Sequence, residues 1–200
     1  DLLEYIRENY KNMSSVVWKV IIFQIVSTLA TIQVKYPSFR HNDLKANNIL
    51  VHHIPQIDGK RKLFKYDVNG KKYGIPNIGL QIKIWDFDFA CIPGIVDNLK
   101  VSADWTDKIN VKPEQNRYYD IHYFFSTLTK KGFFPKFWTE PEIPLKIKDF
   151  AKRLIPNKFK SGKYITDRGR ILINTEYITP SQLLVTDPLF NKFRPKADRV

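Results

Sequence analysis

His41, Asp43, Lys45 and Asn48 fall within one short stretch, His41-Asn42-Asp43-Leu44-Lys45-Ala46-Asn47-Asn48, which runs into apolar Ile49-Leu50-Val51. The spacing H-x-D-L-K-x-x-N sets a carboxylate, a cation and a hard oxygen donor on one loop. A carboxylate beside an attacking hydroxyl can orient it and take its proton. A lysine point charge can offset negative charge on a transferring group. An asparagine oxygen can help hold a divalent cation such as Mg²⁺. Trp85-Asp86-Phe87-Asp88-Phe89-Ala90 offers a second acidic ligand downstream. These are the parts phosphoryl transfer requires, because that reaction asks a protein mainly for positioning and charge neutralisation.

The elements that must carry these residues are readable from pattern. Asp1 to Asn9 reads as a short helix with Leu2, Leu3 and Ile6 on one face. Ser14 or Ser15 can cap a long apolar helix that runs to about Lys35 and stops at Tyr36-Pro37. Ile49 to His52 and Leu80 to Trp85 read as strands, so the loop and the second acidic motif are each tied to a strand end. Between them, Asn69-Gly70 flanked by extended segments signals a hairpin. An extra lysine-rich β-ribbon insert is therefore expected at about 53–79. Pro93 to Asn116 is polar and irregular, Asp120 to Thr129 an apolar helix, and Leu145 to Leu154 amphipathic. Thr179-Pro180 with Gln182 opens a final helix ending near Asp187-Pro188. No repeat or linker divides residues 1–200, which read as one domain.

Composition narrows the class. With 43% hydrophobic and 14% aromatic residues the chain is globular rather than disordered. Its single cysteine, Cys91, cannot form an internal disulfide, which points to a reducing compartment such as the cytoplasm. No signal peptide opens the chain, and a start at Asp1 rather than Met suggests a fragment. The apolar run Val16 to Ile32 carries Lys19 and Gln24, so it reads as a buried core helix rather than a membrane span. A net charge of +13 favours anionic partners: acidic protein substrates, nucleotides, nucleic acid or an anionic membrane surface. Charge alone does not choose among them. His52, His53 and His122 have no cysteine or carboxylate at zinc-like spacing, so zinc is not expected.

The motifs together resemble the large, C-terminal lobe of a eukaryotic-type protein kinase. The wording H-N-D-L-K-A-N-N-I-L, D-F-D-F-A and Y-Y-D-I-H-Y-F-F is similar to serine/threonine kinases of large DNA viruses, including the poxvirus virion-assembly type. The resemblance implies an α+β, mostly helical lobe with short β-hairpins. It implies a catalytic loop at 41–48 and a D-F-D motif at 86–88. Asp43 would be the catalytic base and Lys45 would contact the γ-phosphate of ATP. Asn48 and Asp86 would ligate Mg²⁺, Leu50 would lie under the adenine, and Asp1 falls where an acidic residue often meets the ribose. His41 would support the loop from beneath, and Asp120 would brace it from the following helix. Lysine two positions after the aspartate is typical of serine/threonine rather than tyrosine kinases. A viral enzyme of this type implies host cytoplasm or virion.

Departures from the family pattern set further expectations. Asn42 replaces the arginine that usually pairs with a phosphorylated activation loop, so phosphate at Ser102 or Thr106 is not expected to be required. Asp88 replaces the glycine of D-F-G and removes a permissive backbone position. No A-P-E stands at the usual place: Pro113-Glu114 lies close before Asp120, and Tyr177 sits where an arginine partner for that glutamate is often found. The chain contains no G-x-G-x-x-G and no V-A-I-K lysine, so the N-terminal lobe that clamps ATP phosphates is absent from it. A truncated piece, inactive alone, is the resulting expectation. Two rival readings stand beside it: a small-molecule phosphotransferase of aminoglycoside or choline type, and a non-catalytic pseudokinase scaffold. Lys45 and the final helix argue against the first, and retention of Asp43, Lys45, Asn48 and Asp86 against the second.

Overall fold

In a computed structural model, which describes residues 1–55 and 63–200, helices surround one core and two antiparallel hairpins lie on it. Helix α1 (Leu2–Asn9) is closed at its start by a capping box between Asp1 and Glu4 and buries Leu2, Leu3 and Ile6. Helix α2 (Ser15–Lys35) starts at Ser14, whose hydroxyl accepts from Val17 N. It alone among the described helices has the length and apolarity to cross a membrane, yet Trp18, Phe23, Ile25, Val26 and Leu29 are buried in the core. Burying each such side chain contributes about 1.5–3 kcal/mol before entropy is subtracted. That explains why the sequence can be apolar on every face here.

Strands β1 (Ile49–His53) and β4 (Leu80–Ile84) pair with Ile49 opposite Ile84 and His53 opposite Leu80. The free edge of β4 meets α2 through one side chain. Buried Gln24 donates to Leu80 O at 3.2 Å and accepts from Ile82 N at 2.8 Å, acting as a substitute strand. This amide fixes the hairpin whose ends carry both acidic motifs.

Strands β2 (Leu63–Val68) and β3 (Lys71–Pro76) form the expected ribbon, turning at Asn69 (φ +55°) and Gly70 (φ +78°). Two successive left-handed residues match the twist of a tight hairpin, which is why Asn-Gly stands there. Residues 56–62 of the expected insert, with Lys60 of the lysine cluster, lie outside the described residues. The ribbon is docked on one face: Tyr66 and Tyr73 pack on Phe23 of α2, with ring centroids 5.3 and 5.2 Å away. Lys65, Lys71 and Lys72 occupy exposed positions.

Residues 93–116, expected to be irregular, contain a short 3₁₀ turn (Leu99–Ser102) and a one-turn helix, α3 (Asp104–Asp107). They close over a small cluster of their own, Cys91, Val101 and Val111, flanked by Phe89 and Ile109. Helices α4 (Tyr119–Leu128), α5 (Leu145–Leu154) and α6 (Pro180–Thr186) complete the lobe. Every residue of α4 is buried, which places its first turn directly under the catalytic-type loop.

Candidate active site

The loop from His41 to Asn48 is held from below by one carboxylate. Asp120, fully buried in the first turn of α4, accepts from His41 N at 2.8 Å and from Asn42 N at 2.9 Å. Burial pushes its carboxyl upward, opposed by His41, Arg40 and the two N–H donors. The His41 ring stacks near Phe87 with centroids 5.1 Å apart. Its Nδ1 accepts from Asp43 N at 3.3 Å, so the proton sits on Nε2, which donates to Trp85 O at 3.0 Å. One imidazole thereby ties the loop to the second acidic motif. Asn42 adopts φ +63°, a conformation asparagine tolerates better than most residues. Its amide donates to Phe89 O at 3.1 Å and Lys112 O at 3.2 Å, near opposite ends of the segment between the motif and α4.

Asp43 is gripped by three groups. Lys45 Nζ lies 2.9 Å from Oδ2, and Asn48 Nδ2 donates to Oδ2 at 3.2 Å and to Asp43 O at 3.0 Å. The third is Arg170, whose Nη2 donates to Oδ1 at 2.5 Å. Because Asn48 spends its N–H groups on Asp43, its Oδ1 is left without a protein donor among the described residues, free for a cation. Trp85 N donates to Asn48 O at 3.0 Å, which brings Asp86 beside Asn48 at the open end of the β1–β4 hairpin. Asp86 is exposed and adopts φ +60°, a strained conformation for a non-glycine residue that concentrates at functional sites. Two hard oxygen donors of this kind fit Mg²⁺. Asp88, by contrast, does not take up a positive φ and pairs with Lys100, so the glycine of D-F-G is not needed for this backbone.

The remaining predicted residues lie at the margin. Leu50 is 40% exposed on β1, opposite Lys83, available to a ligand above the hairpin. Asp1 caps α1, its Oδ1 accepting from Glu4 N at 3.0 Å. Of the histidines, His52 and His53 are exposed and His122 is buried.

Two arginines that sequence reasoning missed complete the site. Arg40 is fully buried, donates to Glu114 O and Asn110 O, and lies over the Tyr119 ring at 4.0 Å. Arg170 comes from a turn 127 residues after Asp43, and no local spacing could have paired the two. The one cue for Arg40 is its position next to His41 at the motif's edge.

The sequence is similar to several known proteins. Residues 3–193 match a family model described as poxvirus serine/threonine protein kinase. The chain is 53% identical over 196 residues to a protein of Acanthamoeba polyphaga mimivirus named "Putative serine/threonine-protein kinase R400", covering 97% of this chain and 42% of that protein. It is 32% identical over 138 residues to serine/threonine-protein kinase 2 of fowlpox virus, covering 68% of this chain and 26% of that protein. The monkeypox virus protein of the same name is 32% identical over 113 residues, 56% of this chain and 22% of its own length. The chain thus spans less than half the length of the relatives it matches. With the family model covering nearly the whole of it, the chain belongs to the poxvirus-type serine/threonine protein kinases.

Proposed function

We propose that this chain is the large lobe of an ATP- and Mg²⁺-dependent kinase that phosphorylates serine or threonine of a protein substrate. The observation that carries the reading is the largely buried Asp43 carboxylate, fixed by Lys45, Asn48 and Arg170 on a braced loop. Asp43 orients the substrate hydroxyl and accepts its proton. Lys45 lies 2.9 Å from that carboxylate and neutralises charge on the transferring phosphoryl group. Asn48 and Asp86 hold the cation, Leu50 supports the adenine, and Asp1 faces the ribose. Mg²⁺, when bound, neutralises charge on the phosphates. His41 and Asp120 position the loop. The glycine-rich and lysine-bearing parts that cover the phosphates belong to the rest of a longer polypeptide, in keeping with the 42% share of the mimivirus protein that this chain spans. The net charge of +13 suits acidic protein substrates. A free, buried Cys91 suits the reducing host cytoplasm or the virion interior.

The test uses the complete protein and measures phosphate transfer from ATP to a protein acceptor, dephosphorylated casein, and to small alcohols. Asp43→Asn should lose nearly all transfer to casein while keeping its fold. An Asp43→Asn enzyme as active as the parent would sink the catalytic assignment. Transfer to small alcohols and never to protein would move the chain to the small-molecule phosphotransferases.

A further inference from the structure

Arg170 is buried, although it stands in a loop between α5 and α6 rich in polar residues. Its guanidinium divides its donors among three partners on two elements. Nη2 donates to Asp43 Oδ1 at 2.5 Å, while Nη1 donates to Asn42 O and to Tyr119 Oη, the latter at 3.0 Å. The plane stacks over the Tyr123 ring of α4, 4.2 Å from its centroid. A group so placed cannot turn without breaking all four contacts. The planar fork is what permits the arrangement, because a lysine has one nitrogen for the same job.

The turn that delivers Arg170 is built for close approach. Thr166 N donates to Arg170 O at 2.9 Å, Arg170 N donates to Thr166 Oγ1 at 3.0 Å, and Ile165 bridges Ile171. Thr127 Oγ1 of α4 donates to Arg168 O at 2.8 Å, and Asn110 Nδ2 donates to Ile171 O at 2.8 Å. Gly169 has φ +91°, and a Cβ there would meet Ser126 Oγ at 2.7 Å and Thr127 N at 3.0 Å. Glycine is therefore required twice over, for its conformation and for its lack of a side chain. The whole turn is pressed onto α4 so that the next residue reaches the catalytic-type loop.

We propose that Arg170 is a positioning residue for phosphoryl transfer: it fixes the rotation of the Asp43 carboxylate by holding Oδ1 and the Asn42 carbonyl with one guanidinium. The inference rests on the kinase reading above. Lys45 and Asn48 both contact Oδ2, so without Arg170 the carboxylate pivots about that oxygen and Oδ1 loses its fixed place relative to the substrate hydroxyl. Arg170 itself does not touch substrate. It acts through Asp43, much as the third member of a catalytic triad acts through its neighbour.

The experiment measures steady-state kinetics of the complete kinase on dephosphorylated casein, together with thermal midpoints and the Kd of a fluorescent ATP analogue. Arg170→Gln should lower kcat about 100-fold, since small misplacement of a reacting group costs that much, with KM for ATP and the analogue Kd within about twofold of the parent. Arg170→Lys, which keeps the charge but not the fork, should recover part of that loss. Gly169→Ala, a change outside the site, should lower kcat in the same way. If Arg170→Gln does not fold, the lysine variant decides alone: kcat below the parent with unaltered nucleotide affinity supports the role. Folded Arg170 variants with parental kcat would overturn it. So would losses of kcat and nucleotide affinity in equal proportion, which mark a structural effect only. An active Asp43→Asn enzyme would instead refute the kinase site itself, so the two failures are distinguishable.

Discussion

Arg117 and Glu176 form a bidentate ion pair, Nε to Oε1 at 2.9 Å and Nη2 to Oε2 at 2.7 Å, and Oε1 also accepts from Arg117 N at 2.9 Å. The pair joins the segment just before α4 to the segment just before α6. In the family pattern this region carries a glutamate early and an arginine late, and both were missing from their expected places. In this chain the region carries an ion pair with the cation early and the carboxylate late. Tyr177, at the expected arginine position, packs instead against Tyr118 and Phe159, with centroids 5.6 and 6.1 Å away.

A charge swap should expose this link. Arg117→Glu or Glu176→Arg alone should destabilise the fold by about 1 kcal/mol, as both side chains are partly exposed and screened, and the double exchange should recover most of the loss. The Arg117 guanidinium and backbone hold the Glu176 carboxyl below its ordinary 4.5. A depressed carboxyl contributes stability above the unfolded value and loses it as pH falls through the folded one. Urea midpoints should therefore show the coupling in full at pH 7 and show it weakening as pH falls below 4.5. A double mutant no better than its parents at pH 7 would contradict the exchange.

Asp120 carries two backbone donors of the catalytic-type loop in a fully buried site. Asp120→Ala should lower unfolding stability by about 3–5 kcal/mol, because two buried N–H groups are left unpaired. An unaltered urea midpoint would show that the loop is held by other contacts.

Activation-segment phosphate should be dispensable. Asn42, Asn98 and the Asp88–Lys100 pair already fasten the segment, over the Cys91, Val101 and Val111 cluster. Thr106 is fully buried and its hydroxyl donates to Ala103 O at 2.6 Å, so a phosphate there would break the turn. Ser102→Ala in the complete kinase should keep parental activity, and mass spectrometry should find Thr106 unmodified. Loss of all activity on alanine substitution at both sites would refute this.

His122 makes stability fall in mild acid. It is fully buried between Tyr118 and Phe159, Nε2 donating to Phe159 O, and burial pushes its pKa down to about 4 from 6.5. Above pH 6.5 both folded and unfolded states are neutral here; below it only the unfolded chain takes up the proton. Stability should drop by up to about 3 kcal/mol between pH 6.5 and 4. His122→Gln should flatten that part of the urea-midpoint profile, and an unchanged slope would assign the effect elsewhere.

What could be read in the sequence was local. Ser14 or Ser15 with an apolar run pointed to α2, Asn69-Gly70 to the β2–β3 turn, and the apolar flanks of Asp43 and Asp86 placed both motifs at strand ends, while the pairing of those strands emerged only in the structure. Each rests on periodicity or turn chemistry acting over a few residues. The contacts that were not legible join distant parts: Arg170 to Asp43, Arg117 to Glu176, Gln24 to the edge of β4. Long polar side chains can satisfy many partners, and nothing in their own neighbourhood says which. The small cluster under residues 93–116 was hidden for a related reason, its few apolar members being spaced without helical or strand period.

The distance along the chain between Asp43 and Arg170 also orders events in time. During synthesis the signature loop leaves the ribosome first, and its guanidinium partner follows 127 residues later, roughly ten seconds at ordinary elongation rates. Contacts of such high sequence separation form late in folding. A nascent or nicked chain ending before Arg170 would carry every letter of both acidic motifs with the Asp43 carboxylate untethered on one side. Full restraint of Asp43 is thus reached only when the turn that carries Arg170 has folded back onto the loop.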